Sequence, residues 1–190
     1  MKFFSFFTLF FAVFSLKTAT ANDYSRMMSL APLENLLLEI DLAKQVCNVI
    51  SRNSDDSEKL IGTIQCTTGP GKYGEHYPKG SSPAARTCLI IASGAESEDG
   101  LRTSKEAGGV EMGHYLELGI YYPDGKTSRA IGIHAGSGEF VSRIPATMGC
   151  IRLPTSAAKA LYIKVRGNAK KGGVGRNVPV RFVGETPSLW

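Results

Sequence analysis

Within residues 131–154, IGIHAGSGEFVSRIPATMGCIRLP, one histidine, His134, stands sixteen positions before one cysteine, Cys150. These types suit covalent catalysis. A thiol attacks as its thiolate and is mostly protonated at neutral pH, so it needs a base or a positive charge nearby. His134 is the available base, and Arg152 shares a strand face with Cys150 because side chains alternate along a strand. Gly149 lets the backbone take unusual dihedrals and approach a ligand closely. The N–H groups of Met148, Gly149 and Cys150 could then converge as an oxyanion hole, typically the largest contribution to acyl transfer. A lone cysteine and histidine also fit a plainer reading, half of a disulfide beside an unrelated imidazole. Zinc is poorly served: no CxxC or HxxxH occurs, and His76 and His114 are the other histidines.

The elements that must position this pair are strands. Residues 129–134 alternate and end on the imidazole, and residues 150–153 form a short strand stopped by Pro154. Residues 114–122 alternate, 123–126 (PDGK) mark a tight turn, and 127–134 return, so a hairpin delivers the histidine. Beyond the cysteine, Thr155 or Ser156 can cap a helix over 157–166 that Gly167 ends, with Ala157, Ala160, Leu161 and Val165 on one face. Residues 178–183 form a last strand, and Pro179 predicts an edge. Upstream, residues 36–50 read as a strand with a turn at 41–44 or, at similar spacing, as a helix. Further strands are expected over 60–67 and 88–92, separated by a Gly/Pro/Ser-rich loop over 68–87. The class is mainly β with one or two short helices.

Residues 1–21, MKFFSFFTLFFAVFSLKTATA, have a basic start, an apolar core and a small-x-small end at residues 19–21. This predicts a cleaved export signal ending before Asn22, and an apolar run too short for a membrane span. Residues 22–35 read as a linker or N-terminal arm. Loss of Lys2 and Lys17 lowers the formal charge from +5 to about +3. The basic residues are spread rather than interleaved with aromatics, which argues against nucleic acid, and no stable membrane insertion is expected after cleavage. Export places four cysteines in an oxidising space. If Cys150 stays reduced, Cys47–Cys66 across the first predicted hairpin is one candidate disulfide and Cys66–Cys88 another; spacing does not decide between them.

The block from His134 through Thr147, Gly149, Cys150, Ile151 and Arg152 resembles the signature of the L,D-transpeptidase (YkuD-like) catalytic domain. That signature is His-Gly, a spacer, then Ser/Thr-His-Gly-Cys, a hydrophobic residue and Arg or Asn. Ala135 stands where the family usually has glycine and Met148 where it usually has histidine. The resemblance extends in pattern over about residues 36–183 and favours a strand at the start of 36–50. It implies a β-sandwich or open barrel of mostly antiparallel strands, with a catalytic domain over 36–190. It implies a cysteine-dependent acyltransferase of the periplasm or cell envelope, with Cys150 as nucleophile, His134 as general base and acid, and the oxyanion on Met148, Gly149 and Cys150. Peptidoglycan tetrapeptide stems would be the donors, releasing D-alanine, and a stem amine or an envelope lipoprotein the acceptor. Arg152, Ala135, Thr147 and Tyr115 are the candidate substrate contacts, although Tyr115 is read first as an ordinary strand residue. No metal or cofactor is required. The alternatives are an L,D-carboxypeptidase or amidase using water, or a catalytically silent envelope-binding domain.

Overall fold

The computed structural model describes residues 19–69, 86–90, 102–104, 110–121, 127–128, 131–136, 138–139, 141, 144, 147, 149–166 and 178–185. The expected leader, the loop over 70–85 and Met148 therefore lie outside the described residues.

The strands are β1 (Leu36–Asp41), β2 (Val46–Arg52), β3 (Glu58–Gln65), β4 (Arg86–Ile90), β5 (Arg102–Ser104), β6 (Val110–Met112), β7 (Leu116–Tyr121), β8 (Thr127–Ser128), β9 (Gly132–Ala135), β10 (Ile151–Leu153) and β11 (Val178–Val183). Two α-helices, α1 (Ala21–Leu30) and α2 (Thr155–Arg166), complete the described regular structure together with a short 3-10 turn at Leu33–Asn35. Nine of the strands form one mixed sheet in the order β10-β9-β7-β4-β11-β1-β2-β3, with β8 paired to β7, while β5 and β6 pair separately. Most pairs are antiparallel, but β1–β11 and β9–β10 are parallel. The mainly β expectation is met. The sheet does not close into a barrel, yet one isolated bridge, Thr67 with Arg152, draws the chain after β3 onto β10.

Local chemistry explains the first hairpin. β1 carries almost unbroken burial, from Leu36 to Ile40, on both faces of the sheet, and both of its edges are paired, by β11 and β2. The turn that follows is closed by the Asp41 carboxylate, which accepts the Lys44 N–H at 2.9 Å. Gln45 takes φ +55° there.

Two expectations are corrected. β11 is an interior strand between β4 and β1, not an edge. Pro179 fits because it is the second residue of the strand and the β1 ladder begins only at Val180, so its missing N–H costs no bond to β1. Helix α2 starts at Thr155, earlier than expected. The Glu139 carboxylate, from the loop before it, accepts both the N–H and the hydroxyl of Ser156. That supplies an N-terminal acceptor from outside the helix.

The four α2 positions expected to face the sheet are all buried, joined by Ala158 and Tyr162. Residues 22–35 are largely helical: α1 buries Tyr24 and Met28 and packs on α2. Among the described residues no helix is long and apolar enough to cross a membrane.

Candidate active site

A parallel pair needs a crossover of a dozen or more residues, which the chain between Ala135 and Ile151 provides. The register sets Ile133 beside Ile151, His134 beside Arg152 and Ala135 beside Leu153. Cys150 is the residue before β10, two positions from Arg152. With strands about 4.8 Å apart and about 3.3 Å of rise per residue, the backbones of Cys150 and His134 lie roughly 8 Å apart, a span their side chains can bridge. Cys150 is half-buried, packed against the core and not part of a disulfide.

The His134 ring is 5% exposed. Its Nδ1 lies 2.8 Å from the carbonyl oxygen of Ala135. A carbonyl can only accept, so Nδ1 carries the proton and Nε2 keeps its lone pair. Burial pushes the imidazole pKa down to about 4; the Ala135 bond opposes this and the Arg152 charge adds to it. At neutral pH the ring is therefore an uncharged base.

Tyr115 stacks on His134, centroids 6.1 Å apart and planes 21° apart, and is 3% exposed. It is turned inward against the His134 ring, in keeping with its first reading as an ordinary strand residue. His114, at φ +52°, turns the chain into β7 just before it. Space for the Tyr115 ring comes from Gly132, where a Cβ would lie 2.4 Å from Cζ and 2.6 Å from both Oη and the Leu116 carbonyl oxygen. Gly132→Ala is expected to destabilise the fold by about 1–3 kcal/mol, seen as a lowered Tm, and to slow any reaction that depends on His134. A lone glycine inside a strand pattern signals such an approach, and that signal was present in the sequence.

Thr147 is likewise turned inward. It is 4% exposed, and its hydroxyl donates to the Cys150 carbonyl at 2.5 Å while accepting the Gly149 N–H at 3.3 Å. The Gly149 N–H thus faces into the turn, which departs from its expected role toward an oxyanion. Gly149 itself has φ +110°, a conformation that favours glycine, and a Cβ would sit 3.0 Å from Ile131. Ala135 is half-buried; it contributes its carbonyl to His134 and its N–H to the Gly113 carbonyl at 2.9 Å. Arg152 alone among the four substrate candidates is exposed, on the same face as the base.

The disulfide expectation fails. Cys47 and Cys66 are free and fully buried. Cys47 pairs with Ile64, and the Cys66 N–H donates to the Gln45 carbonyl, so the two cysteines are diagonal neighbours. Diagonal positions stand about 7–8 Å apart, beyond the span a disulfide usually bridges. Burial pushes the Cys47 thiol up to about 12 and Cys66 well above its ordinary value, leaving both unreactive. The side chain of Cys88 lies outside the described residues.

A mixed sheet whose parallel end pair carries this histidine and the strand behind this cysteine is the YkuD fold. The family model of the L,D-transpeptidase catalytic domain, YkuD, matches residues 36–181, and the chain belongs to that family. Similar solved structures include an L,D-transpeptidase from Stackebrandtia nassauensis, 14% identical with TM-score 0.52, covering 90% of this chain and 70% of that one. An L,D-transpeptidase from Mycobacterium smegmatis is 14% identical with TM-score 0.44, covering 78% and 58%. L,D-transpeptidase 3 from Mycobacterium tuberculosis is 16% identical with TM-score 0.46, covering 78% and 60%. This chain thus spans less than two thirds of the latter two. No curated protein sequence matches it.

Proposed function

We propose that this protein is an exported peptidoglycan L,D-transpeptidase in which Cys150 is the nucleophile and His134 the general base and acid. The observation that carries the reading is the His134 ring, anchored through Nδ1–H so that Nε2 keeps its lone pair, on the strand beside the one that Cys150 leads into. Membership of the L,D-transpeptidase catalytic-domain family supports the substrate class.

Nε2 takes the thiol proton as Sγ bonds to the carbonyl carbon of the third stem residue. The oxyanion rests on the backbone N–H of Cys150 and, by the family signature, of Met148, since the Gly149 N–H is already engaged by Thr147. The imidazolium returns its proton to the departing D-alanine amine as the C–N bond breaks, leaving a thioester. An acceptor amine then bonds to that carbonyl, its proton passes to Nε2, and the sulfur leaves as thiol. Arg152 is placed to meet a substrate carboxylate. Residues 1–21 act as the export signal, and the mature domain works in the cell envelope.

Incubating the purified mature protein with a disaccharide-tetrapeptide, followed by mass spectrometry, tests this. The expected products are cross-linked dimers and free D-alanine. Tripeptide without dimers would assign the thioester to water and make the enzyme a carboxypeptidase. Unchanged tetrapeptide would overturn the catalytic reading.

A further inference from the structure

The Cys150 turn is bracketed by residues far away in sequence. Thr147, three positions before it, donates its N–H to the Thr68 carbonyl at 3.1 Å. Arg152, two positions after it, exchanges both backbone bonds with Thr67, at 2.8 and 3.0 Å. The strip 66–68 is therefore the rail on which the turn is mounted. On the strip's other side Gln45 makes a set of bonds. The Gln45 carbonyl accepts the Cys66 N–H at 2.9 Å, its Oε1 accepts the Thr68 N–H at 2.8 Å, and its Nε2 donates to the Thr68 hydroxyl at 2.7 Å and the Leu42 carbonyl at 2.7 Å.

Gln45 is 1% exposed, Thr68 0% and Thr147 4%. Water cannot replace a lost bond easily at such depth, so the arrangement is rigid. The Gln45 amide spends both of its N–H donors and its oxygen here, as a buried amide must if it is to hold one orientation. Gln45 also sits at φ +55°, which turns its backbone carbonyl and side chain toward the same strip.

We infer that Gln45, acting through Thr68, is a positioning residue that sets the Cys150 turn relative to His134. Neither residue touches substrate. The chain of contacts runs from the Gln45 amide to the backbone of Thr68, from there to Thr147, and from the Thr147 hydroxyl to the Cys150 carbonyl. It crosses the seam between the end of β3 and β10, where among the described residues the Thr67–Arg152 bridge is the regular pairing. This inference rests on the reading of Cys150 as the reacting group.

The test compares wild type with Gln45→Met, Thr68→Val and Thr68→Ser. Two quantities are read: the rate of Cys150 alkylation by iodoacetamide across pH, followed by peptide mass mapping, and kcat and KM on the disaccharide-tetrapeptide. Gln45→Met and Thr68→Val are expected to displace the alkylation pH profile and lower kcat by about 10- to 100-fold with KM little changed. Thr68→Ser, which keeps the hydroxyl, is expected to restore wild-type behaviour. Should Gln45→Met fail to fold, Thr68→Val against Thr68→Ser carries the comparison alone. Folded variants with a wild-type alkylation profile would overturn the inference, whatever the turnover. A displaced profile in a protein whose wild type shows no turnover would uphold the positioning role while removing the transpeptidase reading.

Discussion

Wild-type protein is expected to form a covalent adduct with a carbapenem and to turn over tetrapeptide, and Cys150→Ala is expected to do neither above background. The loss should be on the order of a thousandfold or more, since removing a nucleophile removes the acyl-enzyme route rather than one contact within it. Folding should survive. Cys150 is half-buried at the edge of the core, and its carbonyl, which Thr147 bonds, remains in the variant. The change deletes one sulfur, so the stability change should stay within about 1–2 kcal/mol. Intact-mass spectrometry with and without the carbapenem, beside a thermal melt, separates these outcomes. An adduct persisting on the alanine variant would move the nucleophile elsewhere. An unmodified wild type would favour a silent binding domain.

The second large effect comes from His134. Burial holds its folded pKa at about 4, against 6.5 for an ordinary imidazole. Between those values the unfolded chain binds a proton that the folded chain does not, so the unfolded state gains as pH falls. The stabilisation is therefore fully present above about pH 6.5 and is lost progressively toward pH 4. A shift of this size corresponds to about 3 kcal/mol as an order of magnitude. Denaturation midpoints of wild type should fall across that window, and those of His134→Gln should fall much less. The same variant should lose acyl transfer by at least about a hundredfold, because glutamine cannot take the thiol proton. In the wild type the acid limb of kcat/KM should lie well below pH 6.5, since the free ring stays neutral there. An acid limb at 6.5, or a His134→Gln melt as steep as wild type, would contradict the buried, uncharged base.

Much of the architecture was legible because it is local. The alternation over residues 114–122 and 127–134 marks a hairpin, and the chain does return on itself, through β7, β8 and β9. The apolar face of 157–166 marks a helix, and each of its four named positions is buried. His134 and Cys150 stood out because imidazole and thiol are rare here and fall at strand ends. Pro179 misled because a missing N–H matters only where a neighbour would use it, and the start of the β1 ladder one residue later was invisible in sequence. The Cys47–Cys66 pairing failed for a similar reason: the register sets Cys47 opposite Ile64, two residues short of Cys66, and that register was invisible in sequence.

By itself, then, the sequence determined the class of domain, its strands along the chain apart from the short β5–β6 pair, and the two residues suited to chemistry. Each of these follows from short-range periodicity and from the intrinsic reactivity of side chains. Tertiary structure alone decided that the two parallel strands lie side by side and that burial keeps His134 neutral. It also decided that Thr147 and Tyr115 face inward and that Gln45 braces the nucleophile turn from a hairpin about a hundred residues away. Those outcomes depend on which distant segments share a boundary and how much water is left between them, and no local pattern encodes either.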